Sequence, residues 1–148
     1  MIVRVANIND ISRLRKLDTK EIIFVKELNE FHTILDDNEF LDFFLKRNSV
    51  FVAESDSVIV GYLIALIRKW MFHYKKIIWI EHIFVDPDRR KEGIAQSMLN
   101  YMIDHYTKNE PDIEFIFSKM NPENKASLKL SEKLSFNSQK TIVIFKKL

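Results

Sequence analysis

Cysteine is absent from this 148-residue chain, which excludes a disulfide framework, a thiolate metal cluster and a cysteine nucleophile. Proline occurs 3 times and glycine only 2 times, where average usage would give about ten glycines. Flexible linkers are excluded, and each glycine becomes informative. No apolar run is long enough to cross a bilayer: the longest, Val58 to Ile67, stops at Arg68, about half of the ~20 residues needed. The opening MIVRVANIND lacks the extended apolar core of a secretory signal. Neither sign of charge dominates, with 23 basic residues against 21 acidic and a net of +2. No overall field therefore marks a nucleic-acid or membrane binder, and any basic site must be local. We expect a soluble, cytoplasmic chain forming one domain over residues 1–148, long enough to bury its own core.

What is present reads as strands mixed with helices. Ile2 to Ala6 predicts a first strand, and Asn9 and Asp10 predict a cap for a helix carrying Ile11, Leu14 and Leu17. Between residues 20 and 46, Phe24, Leu28, Phe31, Leu35, Phe40, Phe43 and Phe44 recur at helical spacings. Two short helices, broken at Asp36-Asp37-Asn38, are expected there. Val50 to Glu54, a turn at Ser55-Asp56-Ser57, and Val58 to Arg68 predict a hairpin inside a covered sheet. Ile77 to Val85 predicts another strand. From Gly93 the period becomes helical, with Ala95, Leu99, Met102 and Tyr106 on one stripe. Ile113 to Ser118 predicts a strand, Asn124 to Ser135 a short helix, and Thr141 to Phe145 a last strand. The fold expected is α/β (α+β), with a mixed sheet flanked by helices.

The stretch that bears chemistry is Trp79 to Gln96, WIEHIFVDPDRRKEGIAQ. A strand stops at Asp86-Pro87, a basic loop follows, and a helix begins. The first N–H groups of a helix lack partners within it and sit at the positive end of its dipole, so an anion placed there satisfies both. Gly93 at this junction, and the small Ala95, would let a ligand approach the backbone. The spacing fits neither a P-loop nor a three-glycine dinucleotide fingerprint. A solvated surface loop is the competing reading of Arg89, Arg90 and Lys91, given Asp86, Asp88 and Glu92 beside them.

Arg90, Gly93 and Ala95 after Val85-Asp86-Pro87 resemble the Arg/Gln-x-x-Gly-x-Gly/Ala loop of the GCN5-related N-acetyltransferases. FVAESDSVIVGYL, residues 51–63, is similar to that family's second and third strands, and NKASLKLSEKLSF, residues 124–136, to its last helix. The resemblance runs from about residue 50 to the end, while residues 1–48 match in outline. It implies a mostly antiparallel sheet of six to seven strands with four to five helices, and acetyl-CoA as co-substrate. By the same resemblance, the backbone of Ile83, Phe84 and Val85 pairs with the pantetheine arm. Amides from Lys91 through Glu92, Gly93, Ile94 and Ala95 to Gln96 hold the pyrophosphate with Arg90 nearby, and Asn124 touches the cofactor.

Amide formation needs a neutral amine, whereas a lysine-like amine has a pKa of about 10.4 in water. A base or proton relay is therefore useful, together with a donor to the developing oxyanion and a proton for the leaving thiolate. The family often uses a tyrosine of the last helix for the last of these, and the matching residue is Ser131. The usual glycine before the final Phe is Ser135. The glutamate base of the ribosomal-protein acetyltransferases has Lys119 at its place. Glu81 matches the position of a base in polyamine acetyltransferases; a carboxylate paired with a neighbouring lysine is its alternative. Strand alternation predicts that Glu81 and His82 face opposite sides, with His82 buried and hydrogen-bonded. Positioning alone is a further route, since a thiolate leaves readily. His32, His73 and His105 show no ligand spacing, and no metal is expected.

From Glu27 to Leu45 there are six acids, Glu27, Glu30, Asp36, Asp37, Glu39 and Asp42, and no lysine or arginine. The resemblance places this region beside the acceptor, where it would draw a cationic amine, a polyamine or a protein amine; a solvated helix face is the preferred reading of these charges. Trp70, Phe72, His73 and Tyr74 would flank the acceptor or form a homodimer contact. The activity expected is transfer of acetyl to a primary amine. A non-catalytic acyl-CoA-binding or interaction module is the alternative, and three adjacent charges at 89–91 are too small a footprint for nucleic acid.

Overall fold

Five strands lie side by side in chain order in the computed structural model, which describes residues 1–27, 38–69 and 75–138. β1 (Ile2–Val5), β2 (Val50–Ser55), β3 (Val58–Lys69) and β4 (Lys76–Val85) pair antiparallel in sequence, and β5 (Ile113–Ser118) joins β4 in parallel. A parallel pair needs a crossover, supplied by α3 (Ile94–Asn109). α1 (Ile11–Glu27) and α2 (Asn38–Leu45) come between β1 and β2, and α4 (Lys125–Lys133) follows β5. The mixed, mostly antiparallel sheet with four helices agrees with expectation. Among the described residues the strands number five, not six to seven, and the strand expected at Thr141 to Phe145 lies outside those residues.

β2 and β3 read as unbroken apolar runs because both faces of the sheet are covered. On one face Leu14 and Leu17 of α1 and Leu41 and Phe44 of α2 pack on Val50, Val52, Tyr62, Ile64 and Phe84. On the other, Met98, Leu99, Met102 and Tyr106 of α3 pack on Phe51, Leu63, Ala65, Ile78 and Ile80. Period-two alternation divides each strand between the two layers. The buried Tyr106 hydroxyl donates to the Ala65 carbonyl at 2.6 Å, so the phenol enters the core with its polar end satisfied. Gly61 allows α3 to press onto β3: a Cβ there would lie 3.1 Å from both Met98 Cε and the Phe84 carbonyl oxygen.

Three local expectations need correction. The cap before α1 is Asn7 rather than Asn9-Asp10; its side chain accepts from the Asn9 N–H, and Asp10 closes a capping box through the Asn7 N–H over a short 3₁₀ turn, Ile8–Asp10. α1 runs 17 residues to Glu27 instead of giving way to a second short helix near residue 20, there being no proline or glycine to stop it. The hairpin turn is two residues, Asp56 and Ser57, because β2 continues through Ser55. The breaking residues Asp36 and Asp37 lie outside the described residues.

Candidate active site

β4 and β5 stay paired only as far as Ile80 and Ser118. β5 ends there, while β4 continues through Val85, so the ladder between the two strands stops short of residues 81–85. In a parallel βαβ unit this crevice, at the carboxyl ends of the strands, is where ligands bind. The parting coincides with a β-bulge. Consecutive residues Ile64 and Ala65 of β3 oppose His82 and Ile80, leaving Glu81 as the extra residue on β4.

The bulge overturns the expectation that Glu81 and His82 face opposite sides. Ile80 and Ile83 both face the α3 layer, so the two residues between them turn together to the α1/α2 side. His82 is half-buried and stacks on Tyr62 of that layer, with ring centroids 5.4 Å apart. Glu81 is bound by the Arg68 guanidinium, which lies 5.1 Å from the centre of the Trp79 ring. The partner expected for Glu81 was a lysine. Lys119, past the end of β5, lies 5.8 Å from the same ring.

Beyond β4 the loop is tied down charge by charge. Asp86 is buried; its N–H donates to the Val60 carbonyl at 2.9 Å, and its side chain accepts from the Asp88 N–H at 3.1 Å. Lys20 of α1 donates to Asp86 Oδ2 at 2.6 Å and to Asp88 Oδ2 at 3.0 Å. Burial pushes the Asp86 carboxyl upward, but the Lys20 bond and the Asp88 N–H outweigh it and hold the group below its ordinary value. Those two carboxylates raise the Lys20 ammonium in turn. Arg89 is committed to Glu92 through bonds of 2.9 and 3.0 Å, which lower the Glu92 carboxyl. Arg90 donates Nε–H to the Val85 carbonyl at 3.3 Å and sits 5.7 Å from the Phe84 ring centre.

Lys91 and Gly93 both take left-handed backbone, with φ of 68° and 79°, which turns the chain into α3. Gly93 is the N-cap, with no side chain to satisfy the first turn, and that turn contains no acidic residue. The N–H groups of Ile94, Ala95 and Gln96 therefore point out of the helix end. A Cβ on Gly93 would meet no protein atom within 4 Å, so glycine is required here by its φ, and the space beside it is open to a ligand. These residues fit a diphosphate: free amides, a helix dipole, and acids already neutralised by Lys20 and Arg89.

On the α3 side of the parting, Ile80, Ile83, Leu99, Leu130, Ser131 and Phe136 border a pocket of about 40 Å³ whose wall is almost wholly carbon. Ser131 donates its hydroxyl to the Leu128 carbonyl at 2.8 Å. Asn124 caps α4, accepting from the Ser127 N–H at 3.1 Å. Ile83 and Ser131 thus border one pocket, while Glu81 lies on the opposite face of β4. Lys20, Arg68 and the pocket were not found from the sequence. Lys20 is 66 residues from its partner Asp86, and no local pattern connects them. Among the described residues no three potential ligands could hold a metal ion, and no helix is long and apolar enough to cross a membrane. The aromatic residues 70–74 and the acids Glu30, Asp36 and Asp37 lie outside the described residues; Asp42 pairs with Lys46 at 2.6 Å.

Among the described residues the sheet is mostly antiparallel, and its one parallel pair parts beside a glycine-led helix start, an architecture that fits an acetyltransferase. The Acetyltransferase (GNAT) family model matches residues 12–136, and the chain belongs to this family. The aminoglycoside N-acetyltransferase AAC(6')-Iy in complex with CoA shares the fold with a TM-score of 0.76 at 24% identity, over 99% of this chain and 93% of that one. An aminoglycoside acetyltransferase from an uncultured soil metagenomic sample, in complex with sisomicin, gives 0.74 at 21% identity, over 99% and 95%. A ribosomal-protein-alanine N-acetyltransferase from Brucella melitensis biovar Abortus 2308 gives 0.74 at 14% identity, over 99% and 100%. No functionally curated protein matches the sequence.

Proposed function

We propose that the chain is a single acetyl-CoA-dependent N-acetyltransferase domain, acting in the cytoplasm on a primary amine of a small polyamine-like molecule or of a protein or peptide. The observation that carries this reading is the parting of β4 from β5 after Ile80 and Ser118, in the same βαβ unit whose helix opens at Gly93. The free edge of Ile83, Phe84 and Val85 would align the pantetheine arm by main-chain hydrogen bonds. The amides from Lys91 to Gln96 would take the pyrophosphate, with Arg90 and Lys91 adding charge and Asn124 closing the far side. Glu92, bound to Arg89, contributes only its main-chain amide.

The bound thioester supplies an activated acyl carbon. The chain's own residues hold it in line with the amine and exclude water. Glu81 enters as a carboxylate with an oxygen already occupied by the Arg68 guanidinium. Positioning is then the main source of rate. The experiment is calorimetric titration with acetyl-CoA and CoA. Micromolar binding by the wild type, abolished in Gly93→Glu by bulk and like charge near the phosphates, is the result expected. Equal affinity in the variant would overturn the loop assignment.

One observation favours a second reading, a non-catalytic acyl-CoA-binding module: the Ser131 hydroxyl is spent on Leu128 and offers no proton to a leaving thiolate. Thiol release from acetyl-CoA in the presence of polyamines and lysine peptides separates the two.

A further inference from the structure

We infer that the pocket bounded by Ile83, Leu99, Leu130 and Ser131 is an acyl-chain site, and that the protein takes three- and four-carbon acyl thioesters in preference to the two-carbon one. This rests on the reading that the pantetheine arm follows the free edge of β4. The bulge at Glu81 brings Ile80 and Ile83 to the same face, and both line the pocket. The pocket therefore opens on the segment where the thioester would lie. Two of its hydroxyls are turned to the main chain: Ser131 donates to Leu128 O at 2.8 Å, and Ser118 lies 3.4 Å from Ile80 O. The volume of about 40 Å³ has room for roughly three groups the size of a water molecule, and an apolar hollow of this kind holds no tightly bound water that an entering chain must displace. A side chain larger than serine at position 131, on the last helix, would fill it.

Methyl and methylene groups entering this space leave water for a carbon-lined wall, at a gain of about 0.8 kcal/mol, or roughly fourfold in affinity, per CH₂. Transfer itself is balanced as for acetyl. The amine nitrogen bonds to the acyl carbon, the carbon–sulfur bond breaks, and the proton shed by nitrogen is matched by one taken up by the thiolate.

The test is calorimetric titration of the whole chain with CoA, acetyl-CoA, propionyl-CoA and butyryl-CoA, on the wild type and on Ser131→Tyr. Propionyl-CoA should bind two- to fourfold more tightly than acetyl-CoA, butyryl-CoA at least as tightly, and Ser131→Tyr should abolish the difference. CoA and acetyl-CoA binding with the longer thioesters equal or weaker in the wild type would overturn the pocket assignment alone. Failure of all four ligands to bind a folded protein would overturn the cofactor reading and the pocket with it. If Ser131→Tyr lowers CoA affinity, the wild-type series decides by itself.

Discussion

Lys20 on α1 places its ammonium 2.6 Å from Asp86 Oδ2 and 3.0 Å from Asp88 Oδ2, joining the helix that precedes residues 28–37 to the loop that leads into α3. Without it, two carboxylates would face an incoming diphosphate unmatched. Lys20→Met should therefore weaken CoA binding by roughly two- to fivefold, the scale of an exposed ion pair, and Lys20→Arg should restore most of it. Calorimetry at two salt concentrations checks this: the gap between wild type and Lys20→Met should narrow as screening rises. Equal affinity at low salt would show that the tie serves only the fold.

Arg4, Asp10, Arg13 and Glu54 close a ring of alternating charge. Arg4 reaches Asp10 and Glu54 at 2.7 Å each, and Arg13 reaches them at 3.1 and 2.9 Å. The Arg4 hydrogen bond, helped by the Asn7 N–H and Arg13 and opposed by burial, holds the Asp10 carboxyl below its ordinary value of 3.8; Arg13 and Arg4 lower Glu54 in the same way. A carboxyl depressed on folding stabilises above its unfolded pKa and loses that contribution as pH falls through the folded one. Wild-type stability should thus decline steadily below about pH 4. Asp10→Asn should be less stable at pH 7, by about 1–3 kcal/mol, with a flatter acid limb in denaturant titrations.

The β2–β3 hairpin turns on Asp56 and Ser57, both left-handed at φ of 50° and 63°. Two-residue hairpins of this hand favour Asn-Gly or Asp-Gly, and a non-glycine residue there is strained. Ser57→Gly should raise stability by roughly 0.5–1 kcal/mol, measured as a higher melting temperature. The Arg13 bond to the Ser57 carbonyl, 2.7 Å, uses only the main chain and should persist.

The parts of this fold legible in the sequence are those where a residue type forces the backbone. β5 at Ile113–Ser118 and the start of α3 after Gly93 lie where alternation and scarce glycine place them. The turn into α3 was legible for the same reason. What the sequence hides depends on distant partners. Nothing in Ile77 to Val85 announces a bulge, since it contains no glycine or proline, and the extra residue is defined only by register against Ile64 and Ala65. Arg68 reaches Glu81, and Lys20 reaches Asp86, across strands and layers that no local pattern connects.

Glu81 is where that hidden register bears on chemistry. Its carboxylate shares the α1/α2 face with His82 and is held by Arg68, the guanidinium lying against Trp79. If positioning is the main source of rate, Glu81→Gln keeps a hydrogen-bond acceptor for Arg68 and should lower kcat less than about threefold, with CoA affinity and the pH profile unchanged. Arg68→Met should do more, because it leaves a half-buried carboxylate unpaired at the bulge beside the crevice. Steady-state rates across pH 6 to 10 on both variants distinguish the roles. A kcat loss of tenfold or more in Glu81→Gln, with the rise of rate with pH removed, would make Glu81 the base and Arg68 a group that must release it during turnover. A small loss with the rise intact assigns that rise to deprotonation of the amine acceptor itself, which the enzyme then captures in its neutral form.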